Sequence, residues 1–195
     1  MSSPSKEDGT CLRVEIRDVG IDNWSEIRGL HATSFKALAA PFIDRAESDA
    51  YIGHIYAPDY TDTLMALDLQ AVWLDGRIVA TAGWVPSDDT GETARVTSVF
   101  VSPLFARLGI GRQVVRAAEM RAFSAGFDTI TVRAFQPSTS FFEALGFARS
   151  AQGVTSVGTE NGIPVVFMRK HNAAASRQAD ERVHSAVETP DHPRH

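Results

Sequence analysis

The stretch from residue 96 to 111, which reads VTSVFVSPLFARLGIG, constrains the fold of this chain more than any other. Its first six residues are mostly β-branched or aromatic, and Pro103, which cannot donate a hydrogen bond to a neighbouring strand, ends the run. Two glycines, Gly109 and Gly111, come next. Apolar residues then recur at a helical spacing, at Ile110, Val114, Ala118 and Ala122. The pattern predicts a strand, a glycine-containing loop and a helix of about four turns in direct succession.

Such a succession provides a binding site for an anion. The first backbone amides of a helix have no partners within the helix, and the helix dipole is positive at that end. Glycine has no Cβ, so it lets a ligand come close to those amides. Arg107, Arg112 and Arg116 add positive charge at the same end of the predicted helix. We interpret the bound group as a phosphate.

The spacing of the glycines narrows the class of phosphate ligand. A P-loop has four residues between its glycines and then Lys and Ser or Thr, whereas one residue separates Gly109 from Gly111 and Arg112 follows. A dinucleotide fingerprint requires a third Gly or Ala where this chain has Val114, and an acidic residue near the position of Ile130. The spacing therefore disfavours both a nucleoside triphosphatase and a dinucleotide-binding protein.

Two motifs resemble those of the GNAT superfamily of N-acyltransferases. VFVSP at 99–103, followed by RLGIGR at 107–112, is similar to its acyl-CoA-binding motif. FFEALGF at 141–147 is similar to its C-terminal motif, which usually reads Phe-Tyr, three further residues and Gly-Phe. The motifs occur in the family order, about 30 residues apart, and the resemblance covers roughly residues 12 to 170.

The resemblance implies an α/β (α+β) fold with a mixed, mostly antiparallel central sheet of six to seven strands and helices on both faces. Local patterns in the sequence predict several of these elements. Residues 12–18 alternate as a half-buried strand does, and Asp75-Gly76 predicts a tight hairpin between two strands. Asp22 or Asn23 offers an N-cap for the first helix, with Glu26 as the capping-box partner of Asn23.

The domain organisation is expected to be simple. A chain of 195 residues with 44% apolar content suits one compact domain. We place a GNAT-like acyltransferase domain at 11–171 and a flexible N-terminus at 1–10. Residues 172–195 have no clear apolar stripe, so we expect a polar C-terminal tail that is disordered or loosely docked.

The resemblance also assigns roles to particular residues. In this superfamily the pyrophosphate of CoA binds the loop that here consists of Arg107, Leu108, Gly109, Ile110, Gly111 and Arg112. Pantetheine pairs with the strand that here ends in Val99, Phe100 and Val101, and Phe142 is a further expected contact. Trp84 and Phe135 are candidates to line the acceptor pocket, because such pockets are mostly apolar; core packing is the alternative for both.

The expected chemistry is attack of an amine on a thioester. Backbone amides beside the thioester carbonyl can stabilise the oxyanion of a tetrahedral intermediate, and we expect that donor at Phe100 or Val101. GNAT enzymes separate this strand from the next, usually at a β-bulge, which leaves amides free. An amine must lose a proton before it attacks, and the leaving thiolate should gain one.

Three positions depart from the family pattern. Ala106 stands where Gln or Arg is usual in the loop, Phe142 where a tyrosine commonly serves as general acid, and Arg95 where some members use a glutamate base. Phe142 has no hydroxyl, and Arg95 cannot accept a proton. The catalytic residues therefore stay unassigned. Six other residues are candidates for the general base, and for each of them a structural or surface role is the alternative: Glu92, Asp88, Asp89, His31, His54 and Tyr51.

Charge and composition restrict the partners. The net charge is −5 and no run of Lys and Arg occurs, so nucleic acid is not expected as a partner. No apolar run is long enough to span a membrane, and the polar first ten residues lack the apolar segment of a signal peptide, so we expect a cytoplasmic protein without a membrane partner. A single cysteine, Cys11, excludes an internal disulfide and a cysteine-based metal site.

Two functions remain. The first is an N-acetyltransferase that moves an acetyl group from acetyl-CoA, its acyl-donor cosubstrate, directly to a primary amine without a metal. The second is a catalytically inactive acyl-CoA-binding sensor or interaction module, which the phenylalanine at position 142 favours. The acceptor is expected to be a small-molecule or peptide amine, and the resemblance allows a homodimer.

Overall fold

A computed structural model describes residues 14–87, 90–156 and 162–172 of the chain. Its strands are β1 (Val14–Asp18), β2 (Asp68–Leu74), β3 (Arg77–Pro86), β4 (Thr93–Val101), β5 (Thr129–Phe135), β6 (Ala148–Thr155) and β7 (Ile163–His171). Its helices are α1 (Trp24–Leu38), α2 (Arg45–Tyr56), α3 (Asp59–Met65), α4 (Ile110–Ser124) and α5 (Thr139–Glu143). The predicted flexible N-terminus, and all of the predicted tail except residue 172, lie outside the described residues.

The seven strands form one sheet in the order β1-β2-β3-β4-β5-β7-β6. All neighbouring strands are antiparallel except β4 and β5, which are parallel. This mixed, mostly antiparallel sheet confirms the predicted fold class. The parallel pair is the short one: β4 and β5 pair over three residues, from Thr93 to Arg95 on β4 and from Thr129 to Thr131 on β5. Both strands continue beyond these residues, β4 paired only with β3 and β5 only with β7, so β4 and β5 separate from each other.

Helices cover both faces of the sheet, as predicted. Helices α4 and α5 pack on one face, where α4 and the inward side chains of the central strands form a core that includes Val96, Val114, Ala118, Ile130 and Met168. Helices α1, α2 and α3 pack on the other face around a core that includes Ile27, Ile55, Leu64 and Ala71. No helix in the described ranges is long and apolar enough to cross a bilayer.

The local predictions agree with the structure in most places. Asp75 and Gly76 have φ angles of 49° and 79°, the conformation of a tight hairpin turn with two left-handed residues. The capping-box prediction is wrong: the Asn23 side chain accepts a hydrogen bond from the Gly20 amide, and the Glu26 carboxylate accepts one from the Ile78 amide on β3. Glu26 thus makes a tertiary contact with β3 in place of the predicted local contact with Asn23, and the sequence spacing could not reveal this contact.

We expect Ile130→Ala to destabilise the fold strongly. The Ile130 side chain, near the start of β5, is 0% exposed in the core against α4, so truncation leaves a cavity there. Its free energy of unfolding should fall by about 2–5 kcal/mol, measured by urea denaturation.

Leu104→Ala is the control, because that side chain is 86% exposed. It should change the free energy of unfolding by less than about 0.5 kcal/mol. Equal losses from the two substitutions would contradict the placement of β5 in the core.

Candidate functional site

The N-terminus of α4 carries unpartnered backbone amides. The Gln113 amide donates the first hydrogen bond of the helix, to the Gly109 carbonyl oxygen at 3.2 Å, so the amides of Ile110, Gly111 and Arg112 have no acceptor within it. No side chain caps this end, and its first turn contains no acidic residue. The predicted succession of strand, loop and helix is confirmed, and it ends in a group of amides that suits an anion.

The two glycines of the loop serve different purposes. Gly109 has φ +81°, a left-handed conformation that most residues adopt only with strain, and a Cβ there would meet nothing within 4 Å. At Gly111, in contrast, a Cβ would lie 3.1 Å from the Val101 side chain and 3.4 Å from the Phe141 ring. The second glycine therefore lets the start of α4 pack closely against the end of β4. Arg107, Leu108 and Arg112 project into solvent beside these amides.

A β-bulge interrupts β4 just before the loop. Thr81 of β3 faces Phe100 and Gly83 faces Thr97, so three steps on β4 match two steps on β3. Ser98, within this interval, has a positive φ angle of 52°. The extra residue leaves Ser98 and Val99 outside the pairing with β3.

The bulge determines which backbone groups face the cleft between β4 and β5. The Ser102 amide donates to the Val79 carbonyl oxygen at 2.8 Å, so Ser102 faces β3. Because successive residues of a strand point their backbone groups to opposite sides, Phe100 also faces β3 and Val101 faces the cleft. Of the two predicted oxyanion donors, the Val101 amide is the one directed at the cleft. The Val101 carbonyl oxygen accepts a hydrogen bond from the Ser34 hydroxyl of α1 at 2.8 Å.

A buried chain of hydrogen bonds runs from α3 through α1 to the bulge. Tyr60 Oη lies 2.8 Å from His31 Nδ1, His31 Nε2 lies 2.7 Å from Thr81 Oγ1, and the Thr81 hydroxyl donates to the Ser98 carbonyl oxygen at 2.8 Å. Since Thr81 uses its proton on Ser98, His31 Nε2 donates to Thr81 and Nδ1 accepts from Tyr60. The His31 ring also stacks on Phe100, with centroids 4.1 Å apart.

These hydrogen bonds exclude His31 as a general base. The His31 ring is 0% exposed, both its nitrogens are occupied, and burial lowers the pKa of His31 to about 3. Burial, with a smaller effect from Tyr51, raises the pKa of Tyr60 above its usual value, so Tyr60 keeps its proton. The imidazole therefore stays neutral and holds its two partners.

The other candidate bases are spread over several elements. Tyr51 and His54 lie on α2, half-buried and in edge contact with each other, and burial raises the pKa of Tyr51 to about 12. Glu92 is exposed just before β4. Asp88 and Asp89 lie outside the described residues. The structure therefore does not bring these candidates together in one cluster.

The predicted acceptor and pantetheine contacts are not brought together. Trp84 packs edge-on against Phe127 at 5.4 Å, and its indole nitrogen donates to Asp68 at 3.0 Å, on the α4 face of the sheet. Phe135 lies on the opposite face, in edge contact with Phe35 and Tyr51. Phe142 is 5% exposed in the α4-side core, whereas its neighbour, half-buried Phe141, is the one beside Gly111.

Sequence reasoning missed several residues around the cleft. Ser34 and Thr81 act through contacts between elements 67 and 17 residues apart in the chain, and no spacing indicates them. Arg133 could have been found, because it alternates with apolar Val132 and Ala134 and so must point away from the α4-side core. In the described ranges no three His, Cys, Asp or Glu side chains come together as a metal site.

Comparison with known proteins relates this geometry to a family. A sequence model described as the acetyltransferase (GNAT) family matches residues 31–147, more than half of the chain. A search of curated proteins gave no match.

Solved structures match the fold over most of its length, at low sequence identity. A GCN5-related N-acetyltransferase from Rhodopseudomonas palustris is 17% identical, with a TM-score of 0.71 over 81% of this chain and 95% of that one. The PaiA N-acetyltransferase of Thermoplasma acidophilum in complex with coenzyme A is 13% identical, with a TM-score of 0.62 over 82% and 99%. Salmonella typhimurium yncA with its cofactor acetyl-CoA is 19% identical, with a TM-score of 0.58 over 82% and 94%.

These structures share the fold of this chain, and the family model covers the bulged strand, the loop and the helix that follows it. The chain therefore belongs to the GNAT acetyltransferase family.

Proposed function

We propose that this protein is an N-acetyltransferase that uses acetyl-CoA and transfers the acetyl group to a primary amine. The observation that carries the proposal is the set of free amides at Ile110, Gly111 and Arg112, at the end of the bulged strand that borders the cleft. These amides, with Arg107 and Arg112, suit the pyrophosphate of CoA. The family membership and the CoA complexes among the structural neighbours support this choice of donor.

The separation of β4 from β5 gives the donor a place to lie. Past Arg95, the cleft side of β4 has no partner strand among the described residues, so its backbone groups can pair with the amides of pantetheine. In the proposed reaction the amine nitrogen bonds to the thioester carbonyl carbon, and the carbon–sulfur bond then breaks to release CoA thiolate. The Val101 amide is the proposed donor to the oxyanion between these steps.

The proton that the amine loses has no assigned acceptor. Arg95 occupies the position of the family's glutamate base and cannot take a proton, and His31 is already fully hydrogen-bonded. We therefore propose that water carries the proton out of the cleft and that the local charges set the ionisation of the amine. No general acid is assigned, since Phe142 is apolar and buried.

An inactive acyl-CoA sensor is the second candidate, and the same observation at Phe142 favours it. A phenylalanine in the core cannot protonate the leaving thiolate, so a protein that only binds acyl-CoA would tolerate it. The two candidates share the binding loop and differ in turnover, which makes them separable by experiment.

We expect Gly109→Asp to weaken CoA binding by about 100-fold or more, because it puts a negative charge and a side chain at the amides that receive the pyrophosphate. Isothermal titration calorimetry with CoA measures the change. Gly109→Ala, which carries the same backbone strain without the charge, should lose less affinity.

Gly76→Asp is the matched control, because Gly76 has φ +79° and open space around it in the β2–β3 turn. It should bind CoA as the wild type does. Unchanged affinity in Gly109→Asp would overturn the assignment of the loop.

We further expect the wild type to release free thiol from acetyl-CoA in the presence of at least one member of a panel of small amines, amino acids and peptide N-termini. A thiol-reactive dye measures the release, and mass spectrometry of the amine confirms transfer. CoA binding without turnover of any panel member would favour the sensor over the acetyltransferase.

A further inference from the structure

The face of the sheet opposite α4 contains a depression where β4 and β5 begin to separate. Its volume is about 380 Å³, and its lining includes Arg95 on β4, Thr131 and Arg133 on β5, Ser150 on β6 and Phe167 on β7. Arg95 pairs with Thr131 in the last step of the β4–β5 ladder, so this pair marks the apex of the cleft. A ligand in the depression would reach the apex from the side opposite α4.

The depression is positively charged in a chain whose net charge is −5. Neither Arg95 nor Arg133 forms an ion pair with any carboxylate of the described residues. Arg133 is exposed, and its guanidinium lies over the Phe167 ring, 5.6 Å from the centroid, a contact that favours this position. Arg169, which pairs with Thr131 across the β5–β7 ladder, adds a third guanidinium on the same face.

Arginines without counter-ions are costly where they are desolvated, unless a ligand supplies the charge. Arg95 is half-buried, and its burial, together with the nearby Arg133 charge, lowers its pKa. Two guanidiniums that share one concave surface offer paired N–H donors to the oxygens of a carboxylate or phosphate. The open depression therefore suits an oxyanion.

On the basis of the proposed function, we propose that the acceptor is an amine that also carries a carboxylate or phosphate group, bound by Arg95 and Arg133. Its amine then lies towards the apex, where the cleft receives the acyl group. Two guanidiniums bound to one carboxylate leave a net positive charge, which disfavours an ammonium ion nearby and so lowers the pKa of the bound amine. The anionic group thus compensates for the arginine that replaces a glutamate base: it holds the substrate while the guanidiniums favour its neutral, nucleophilic form.

The test compares acceptors that differ only in the anionic group. Amino acids are paired with their carboxamides, and O-phosphoethanolamine with ethanolamine, in the thiol-release assay. The wild type should show a kcat/KM at least tenfold higher for the anionic member of one pair. Arg95→Gln and Arg133→Gln should each reduce that preference about tenfold, mainly through KM for the amine, and leave the Kd for CoA unchanged.

Arg45→Gln is the control, because the Arg45 side chain is 95% exposed on α2, and it should keep the wild-type preference. Turnover that prefers the uncharged members would overturn the anionic acceptor and leave the acetyltransferase standing. If no amine reacts, the proposed function fails. Calorimetry of the CoA-bound protein with O-phosphoethanolamine and with the amino acids then tests whether Arg95 and Arg133 bind an anionic amine. Binding lost in Arg95→Gln supports the site, and no binding overturns it.

A second inference rests on the hydrogen-bond chain that ends at the bulge. We infer that Thr81 and His31 are positioning residues, which hold Ser98 in its left-handed conformation and so keep the Val101 amide turned to the cleft. The Thr81 hydroxyl is the last link, since it donates to the Ser98 carbonyl at 2.8 Å. His31 and Tyr60 orient that hydroxyl, because His31 Nε2 takes its acceptor lone pair. Without the donor, the bulge loses the only side-chain contact described for its carbonyl.

Thr81→Val, which removes the hydroxyl at nearly constant volume, tests this role. It should lower kcat at least tenfold with little change in KM for acetyl-CoA, and Thr81→Ser, which restores the hydroxyl, should recover most of it. Amide hydrogen exchange can be measured without an acceptor substrate. The amides of residues 97–101 should exchange at least tenfold faster in Thr81→Val, while those of β5 should exchange as in the wild type.

Thr63→Val on the exposed side of α3 is the control and should change neither kcat nor exchange. Wild-type exchange at 97–101 in Thr81→Val would overturn the inference. So would faster exchange throughout the sheet, which would show a purely structural role.

Discussion

The site depends on one extra residue in β4. Ahead of the bulge, Thr93 faces β3, because its carbonyl oxygen accepts from the Ser87 amide; after the bulge, Ser102 faces β3. Before the bulge, the odd-numbered residues of β4 direct their backbone groups at β3; after it, the even-numbered residues do so. Without the insertion, the backbone groups of Val101 would form hydrogen bonds with β3, and those of Phe100 would face the cleft instead. A single inserted residue therefore decides which amide of β4 is directed at the cleft, where the thioester is proposed to lie.

The sheet separates the two surfaces that are proposed to bind anionic groups. On one side, the start of α4 has free backbone amides, the proposed site of the diphosphate, and Gly111 lets this helix pack against β4. On the other, α1 and α3 hold the bulge through buried side chains, and the guanidiniums of Arg95 and Arg133 surround an open depression. Because β4 and β5 separate between these surfaces, a donor and an acceptor proposed to lie on opposite sides can meet at the apex of the cleft.

The parts of this arrangement that depend on local chemistry were predictable from the sequence. The hairpin at Asp75-Gly76, the end of β4 before Pro103 and the start of α4 at Ile110 all follow from turn chemistry and periodicity. A bulge in this strand was expected only from the family resemblance, and its place at Ser98 was not predicted, since nothing in VTSVFV marks the inserted residue. On β3, the partners of His31 and Glu26 lie 50 and 52 residues away in the chain, and the sequence could not identify contacts at such separations.

The most direct test of the central claim is a titration of the ¹⁵N-labelled protein with CoA, followed by amide chemical shifts. If the bulged strand and the start of α4 hold the cosubstrate, the largest shifts should occur at the amides of Gly111, Arg112 and Val101, with small shifts on β1 and β6. Shifts that leave these amides unaffected and cluster elsewhere in the protein would contradict the account.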